Sequence, residues 1–138
     1  MFTYTRATPV AFLLMAAATL TIALASVSTS HAQTSGSPMP LCEIQRSLST
    51  GAVGEDVHCL QRYLNWAGFT IASSGPGSPG NETQYFGSLT ASAVARWQNA
   101  HAAVVLTPLG IISGTGYWGP SSFSHYVGLA RIALGVPN

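Results

Sequence analysis

The chain has 138 residues, with five arginines, no lysine and four acids, so its formal net charge is only +1. That balance excludes the basic face a nucleic-acid binder needs, and the length allows one small domain.

Met1 to Ala32 reads as a secretory signal. Arg6 supplies the positive n-region, Val10 to Ala25 the apolar h-region, and Ser30-His31-Ala32 the small residues at the cleavage-determining positions. Cleavage is expected before Gln33, which places the protein outside the cell or in the envelope (periplasm or cell wall). The competing reading is an uncleaved membrane anchor, because the apolar run nearly reaches spanning length. Its Ala and Thr content and the cleavage site directly after it favour cleavage, and only an uncleaved segment would attach to a membrane. Met39-Pro40-Leu41 before Cys42 makes a poor lipobox. The 106 residues after Ala32 suffice for a modest core, not for a large enzyme with a deep cleft. Cys42 and Cys59, an even count in an oxidising compartment, favour one disulfide.

Gln33 to Pro40 is rich in Ser, Gly, Thr and Pro and reads as a mobile leader; Leu41 to Leu48 is expected to run extended, with Ile44 and Leu48 inward. Glu55-Asp56 open a helix to about Ala67, with acids at the positive end of its dipole. Val57, Leu60, Leu64 and Ala67 form its buried stripe, Cys59 falls beside the stripe within reach of the Cys42 segment, and Trp66 falls nearly opposite, exposed. Gly68 ends the helix. Ala72 to Asn81 is a turn-rich loop, expected to be the most mobile interior segment. A second helix spans about Ser88 to His101, with Ala93, Val94 and Trp97 inward and Ser92, Arg96 and Asn99 toward water. Val104 to Leu109 and Ile111-Ile112, apolar and β-branched, suggest short extended pieces. A third helix begins near Pro120 and carries Phe123, Tyr126, Val127, Leu129 and Ala130, fading through Ile132 and Leu134.

One unit occurs nearly twice. Tyr85-Phe86-Gly87-Ser88 precedes the second helix, and thirty-two positions on, Tyr117-Trp118-Gly119-Pro120 precedes the third. An aromatic pair, a Gly turn and a helix start in the same order make an internal repeat.

These residues resemble the peptidoglycan-binding-like domain, a small three-helix module attached to many bacterial cell-wall hydrolases. The resemblance covers roughly Leu48 to Val127. It rests on Gly51, Gly54, Val57, Leu60-Gln61, Leu64 and Gly68-Phe69, then Tyr85-Phe86-Gly87, Thr90, Ala93-Val94 and Trp97-Gln98, and lastly Gly116 to Pro120. It departs from the family in a longer loop from Ala72 to Thr83, in Trp97 where Phe is commoner, and in a last helix that runs on. Family members usually sit beside a catalytic domain, for which this chain has no room. The implied organisation is a signal peptide (1–32), a flexible leader and extended segment (33–47), the module (48–128) and a C-terminal tail (129–138). The implied fold is mainly α, a three-helix bundle with short extended segments and loops.

Gln61 and Gln98 each follow a core residue, and a structural amide tying helix to loop is favoured over a ligand contact. Tyr85, Phe86 and Tyr117 are expected in the core. Trp66, by exposure, and Trp118, by its place in a Gly turn, are the candidates to stack on sugar rings. Arg96 and Asn99, one turn apart, are candidates for stem-peptide carboxylates or amides, against the plainer reading of a solvated face. His58, His101 and His125 lack short metal-ligand spacing, and Glu55 and Asp56 serve the helix start, so neither catalysis nor a metal or other cofactor is expected. The reading is a non-catalytic module whose partner is peptidoglycan. The alternative is an interaction subunit docking on a separate cell-wall hydrolase through the last helix's apolar tail.

Overall fold

The computed structural model describes residues 37–136; the expected signal over Met1–Ala32 and the start of the leader lie outside them. Among the described residues four α-helices are present and no sheet: α1 (Glu55–Trp66), α2 (Ser88–Ala100), α3 (Ala102–Val105) and α4 (Pro120–Ala133), with a 3-10 turn at Thr107–Leu109 between α3 and α4.

Each helix starts and stops for a local reason. Glu55 and Asp56 occupy the first turn of α1. At its other end Gly68 takes φ 87°, and the amides of Gly68 and Phe69 donate to Asn65 O and Leu64 O, a reversal that favours glycine. Gly87 and Gly119 precede α2 and α4 in extended conformation, and Pro120 stands in the first turn of α4, where its missing N–H leaves no bond unmade.

The buried stripes of α1 (Val57, Leu60, Gln61, Leu64) and α2 (Ala93, Val94, Trp97, Gln98) face one core that Leu48, Phe86, Leu106, Trp118 and Tyr126 complete. Its centre is aromatic. The Tyr63 ring lies 4.7 Å from Tyr126 and 6.3 Å from both Trp97 and Trp118, all near edge-to-face, the arrangement ring quadrupoles prefer. Trp97 Nε1 donates to Tyr63 Oη at 3.0 Å, so the polar tips of two buried rings satisfy each other. Burial, and secondarily His101, hold the His125 imidazole below its usual pKa.

The segment before α1 is tied down at several points. Cys42 and Cys59 form the disulfide that their count implied, Cα–Cα 5.6 Å. Tyr126 Oη, on α4, accepts from Cys42 N at 2.6 Å and donates to Pro40 O at 2.9 Å. Arg46 grips Asp56 through Nε and Nη2 and donates to Val53 O; these bonds keep the Asp56 carboxyl below its ordinary range. Ser37 O accepts from Trp66 Nε1 at 2.6 Å. Residues 37–40 therefore lie against the domain instead of standing off as a free leader.

Two other expectations are corrected. Val104 to Leu109 is helical: Val104 and Val105 donate to His101 O and Leu106 to Ala102 O, and packing of α3 on α4 overrides the β-branched composition. The Ala72–Asn81 loop is internally bonded, with Gly77 N to Asn81 O and Asn81 N to Ser78 O both 2.8 Å, and Ser78 is buried. Asn65 organises it, donating to Gly77 O and Glu82 Oε1 and accepting from Ile71 N. α4 reaches Ala133, within the stretch its apolar pattern led one to expect, and Leu129 and Ala130 pack on the core.

The disulfide closes a loop of sequence separation 17. Replacing both cysteines by Ala is expected to lower unfolding free energy by about 3 kcal/mol, the loop-closure value for a ring of this size. Urea denaturation of oxidised wild type and the double variant measures it; an unchanged midpoint contradicts the role given to this bond.

Candidate functional site

The most organised polar groups in the molecule are two buried glutamines. Gln61, on α1, accepts from Thr83 N at 2.7 Å and donates through Nε2 to Tyr85 O and Thr90 Oγ1, both at 2.9 Å. Gln98, on α2, accepts from Thr115 N (2.8 Å) and Gly116 N (3.1 Å) and donates to Tyr117 O (2.7 Å) and Ser122 Oγ (3.0 Å). Thr83, Tyr85 and Thr90 stand thirty-two positions before Thr115, Tyr117 and Ser122. A buried amide must find partners for its oxygen and both its hydrogens, and each glutamine finds them in the turn before a later helix and in that helix's first turn, α2 for Gln61 and α4 for Gln98. Both are structural, as their position after a core residue suggested.

Each clamped turn lies in an extended segment that pairs with the chain before α1. Val53 bridges Tyr85 and Leu48 bridges Trp118, both antiparallel. Neighbours in extended chain point to opposite sides, so one aromatic of each pair goes in and one out. Phe86 and Trp118 are fully buried, while Tyr85 is 54% and Tyr117 47% exposed. This reverses two expectations: Trp118 is part of the core and unavailable to stack on a sugar, and Tyr85 and Tyr117 are surface rings.

Each tyrosine ring lies against the glycine two residues on. A Cβ at Gly119 would stand 2.4 Å from Tyr117 Cε1, an outright clash, and one at Gly87 would stand 3.4 Å from Tyr85 Cε1. The glycines thus give the rings a backbone floor. Beside Tyr85 opens a cleft of about 410 Å³ lined by Gln61, Ile71, Thr83, Gly87 and Thr90 among others. Beside Tyr117 opens one of about 290 Å³, with Gln98, Leu106, Ile111, Thr115, Gly119 and Ser122 in its walls.

The other candidates are dispersed. Trp66 is 46% exposed, stacks on Tyr63 at 6.2 Å and edges a cleft with Phe69, His101 and Leu129. Arg96 donates to Thr70 O at 2.7 Å, and Asn99 Oδ1 accepts from Gly114 N at 2.6 Å. Both are exposed but secure neighbouring loops, and neither lines any of these three clefts. Among the described residues no group of three or more His, Cys, Asp or Glu could hold a metal ion. Burial pushes the Glu82 carboxyl up, but hydrogen bonds from Asn65 and from the backbone of residues 82 and 80 outweigh it and leave Glu82 below its ordinary range, a loop fastener in ionised form.

Residues 53–105 match a family model described as "Putative peptidoglycan binding domain". The match runs from the chain before α1 to the end of α3, taking in Gln61, Tyr85 and Gln98, and agrees with the resemblance drawn from the residues. No curated protein and no solved structure matches the chain.

Gln98→Leu is expected to cost about 1–3 kcal/mol, because it leaves the buried amide of Gly116 without its acceptor and the exposed amide of Thr115 to water alone. Thermal unfolding with hydrogen exchange at Thr115 and Gly116 measures this; native-like protection of both amides in the variant contradicts the clamp.

Proposed function

We propose that this protein is a non-catalytic, peptidoglycan-binding module of an exported bacterial protein, which holds itself or an attached partner to the cell wall. The single observation that carries the reading is the family match over residues 53–105. The disulfide supports an extracellular or envelope location, since such bonds persist in oxidising compartments. The turn–helix unit at Tyr85 and its counterpart at Tyr117 are read as an internal repeat of the module.

Recognition works by shallow contact. Tyrosine rings seated on glycine backbone offer stacking surfaces to the apolar faces of sugar rings, and the adjoining threonine hydroxyls bond to their polar edges. With few surface charges, long-range attraction contributes little, so the on-rate should depend weakly on salt.

A second reading has its own observation. Ile132, Leu134 and Val136, at and beyond the end of α4, are exposed apolar side chains, which suits docking on a separate cell-wall hydrolase.

Co-sedimentation of the purified protein with insoluble peptidoglycan tests the first reading. Wild type is expected in the pellet, Tyr85→Ala is expected to weaken retention by about tenfold, as loss of a stacking contact does, and an Ile132→Ser, Leu134→Ser variant is expected to sediment like wild type. Wild type remaining in the supernatant overturns wall binding. Loss of sedimentation only in the tail variant overturns the cleft as the contact.

A further inference from the structure

Resting on the wall-binding reading, we infer that the module carries two glycan subsites, the cleft at Tyr85 and a corresponding one at Tyr117, each taking one hexosamine ring of the same polymer. Most of the second lies beyond the segment that matches the family model.

The inference stands on correspondence between the two clefts. Both have a clamping glutamine in the wall (Gln61, Gln98), a half-exposed tyrosine at the rim (Tyr85, Tyr117), a glycine under the ring (Gly87, Gly119) and a threonine two residues before the tyrosine (Thr83, Thr115), while the buried Thr90 and Ser122 hydroxyls are taken up by the glutamines. The glutamine bonds are met by the same kinds of group in each: a backbone amide, the tyrosine carbonyl and a hydroxyl in the first turn of the following helix. A surface that offers a stacking ring beside a threonine hydroxyl in one cleft offers the same in the other. Hexosamine chemistry fits both, with an apolar ring face for the tyrosine and equatorial hydroxyls for the threonine.

The clefts differ where their surroundings differ. Ile71, Pro76 and Gly77 flank the first, whereas Val105, Leu106, Leu109 and Ile111 flank the second. The second is smaller and more apolar, which suits the methyl of an acetamido group as well as the ring face. Two weak sites on one module reinforce each other on a repeating polymer, because the second contact forms at high effective concentration.

The test pairs titration with sedimentation. Isotope-labelled protein is titrated with disaccharide-containing fragments released from peptidoglycan by a muramidase, and the amides that shift are mapped. The expected result is two clusters of shifts, one around Thr83–Thr90 and one around Thr115–Ser122, with two ligands per chain. Tyr117→Ala should lose the second cluster, keep the first and sediment with insoluble wall about tenfold less well. Tyr117→Phe, which keeps the ring, should behave as wild type.

Wild-type shifts confined to the Tyr85 cluster, with one ligand per chain and sedimentation retained, overturn the second subsite and leave wall binding standing. Wild type that neither shifts nor sediments overturns both. The wild-type map decides between one site and two even if Tyr117→Ala does not fold.

Discussion

Gln61 and Gln98 set the constraint on which the rest depends. A primary amide buried beyond the reach of water must be paired on its oxygen and on its nitrogen, and in both cases the partners available are the backbone of a turn and a hydroxyl in the first turn of the helix that follows it. One side chain thereby fixes where the turn lies, which way its aromatic residues point and where the next helix begins. α1 positions α2 through Gln61, and α2 positions α4 through Gln98.

What the clamps permit, the core and the crosslinks secure. With their turns held in extended form, Phe86 and Trp118 face inward to join Tyr63, Trp97 and Tyr126, and the tyrosines beside them are left outside on glycine floors. The chain before α1 completes the frame. It bridges both turns through Leu48 and Val53, and is fastened by the disulfide, by Arg46 on Asp56 and by Tyr126 Oη. A domain of this size buries a limited apolar area, so such fastenings matter more than they would in a larger fold.

Much of this was legible in the residues. α1, α2 and α4 follow from helical spacing bounded by Gly68, Gly87, Gly119 and Pro120, and the glutamines' structural role follows from their position beside the stripe. α3 was not legible, because Val104 and Val105 read locally as extended while their helical bonds to His101 are stabilised by packing on α4. The Ala72–Asn81 loop was misread for a related reason: nothing in its composition reveals that Asn65, on α1, bonds Gly77 within it and Ile71 and Glu82 on either side of it. Exposure of the tyrosines was recoverable in principle. Adjacent aromatics in an extended segment cannot both face inward, so Tyr85-Phe86 and Tyr117-Trp118 each had to show one ring to solvent, and the repeat places the same member outside in both. Trp66 was placed from helical geometry alone, whereas Trp118 was judged by its neighbouring glycine, which marks the turn and not the side on which the ring falls.

The measurement that bears most directly on this account is hydrogen exchange of the glutamine side-chain amides themselves. If Gln61 and Gln98 carry the turns, their Nε2 protons should exchange only when the domain opens, far more slowly than those of solvent-facing Gln45. Exchange of all three at the same fast rate would mean that the buried amides open freely and that the turns, with the tyrosines they present, are held by something else.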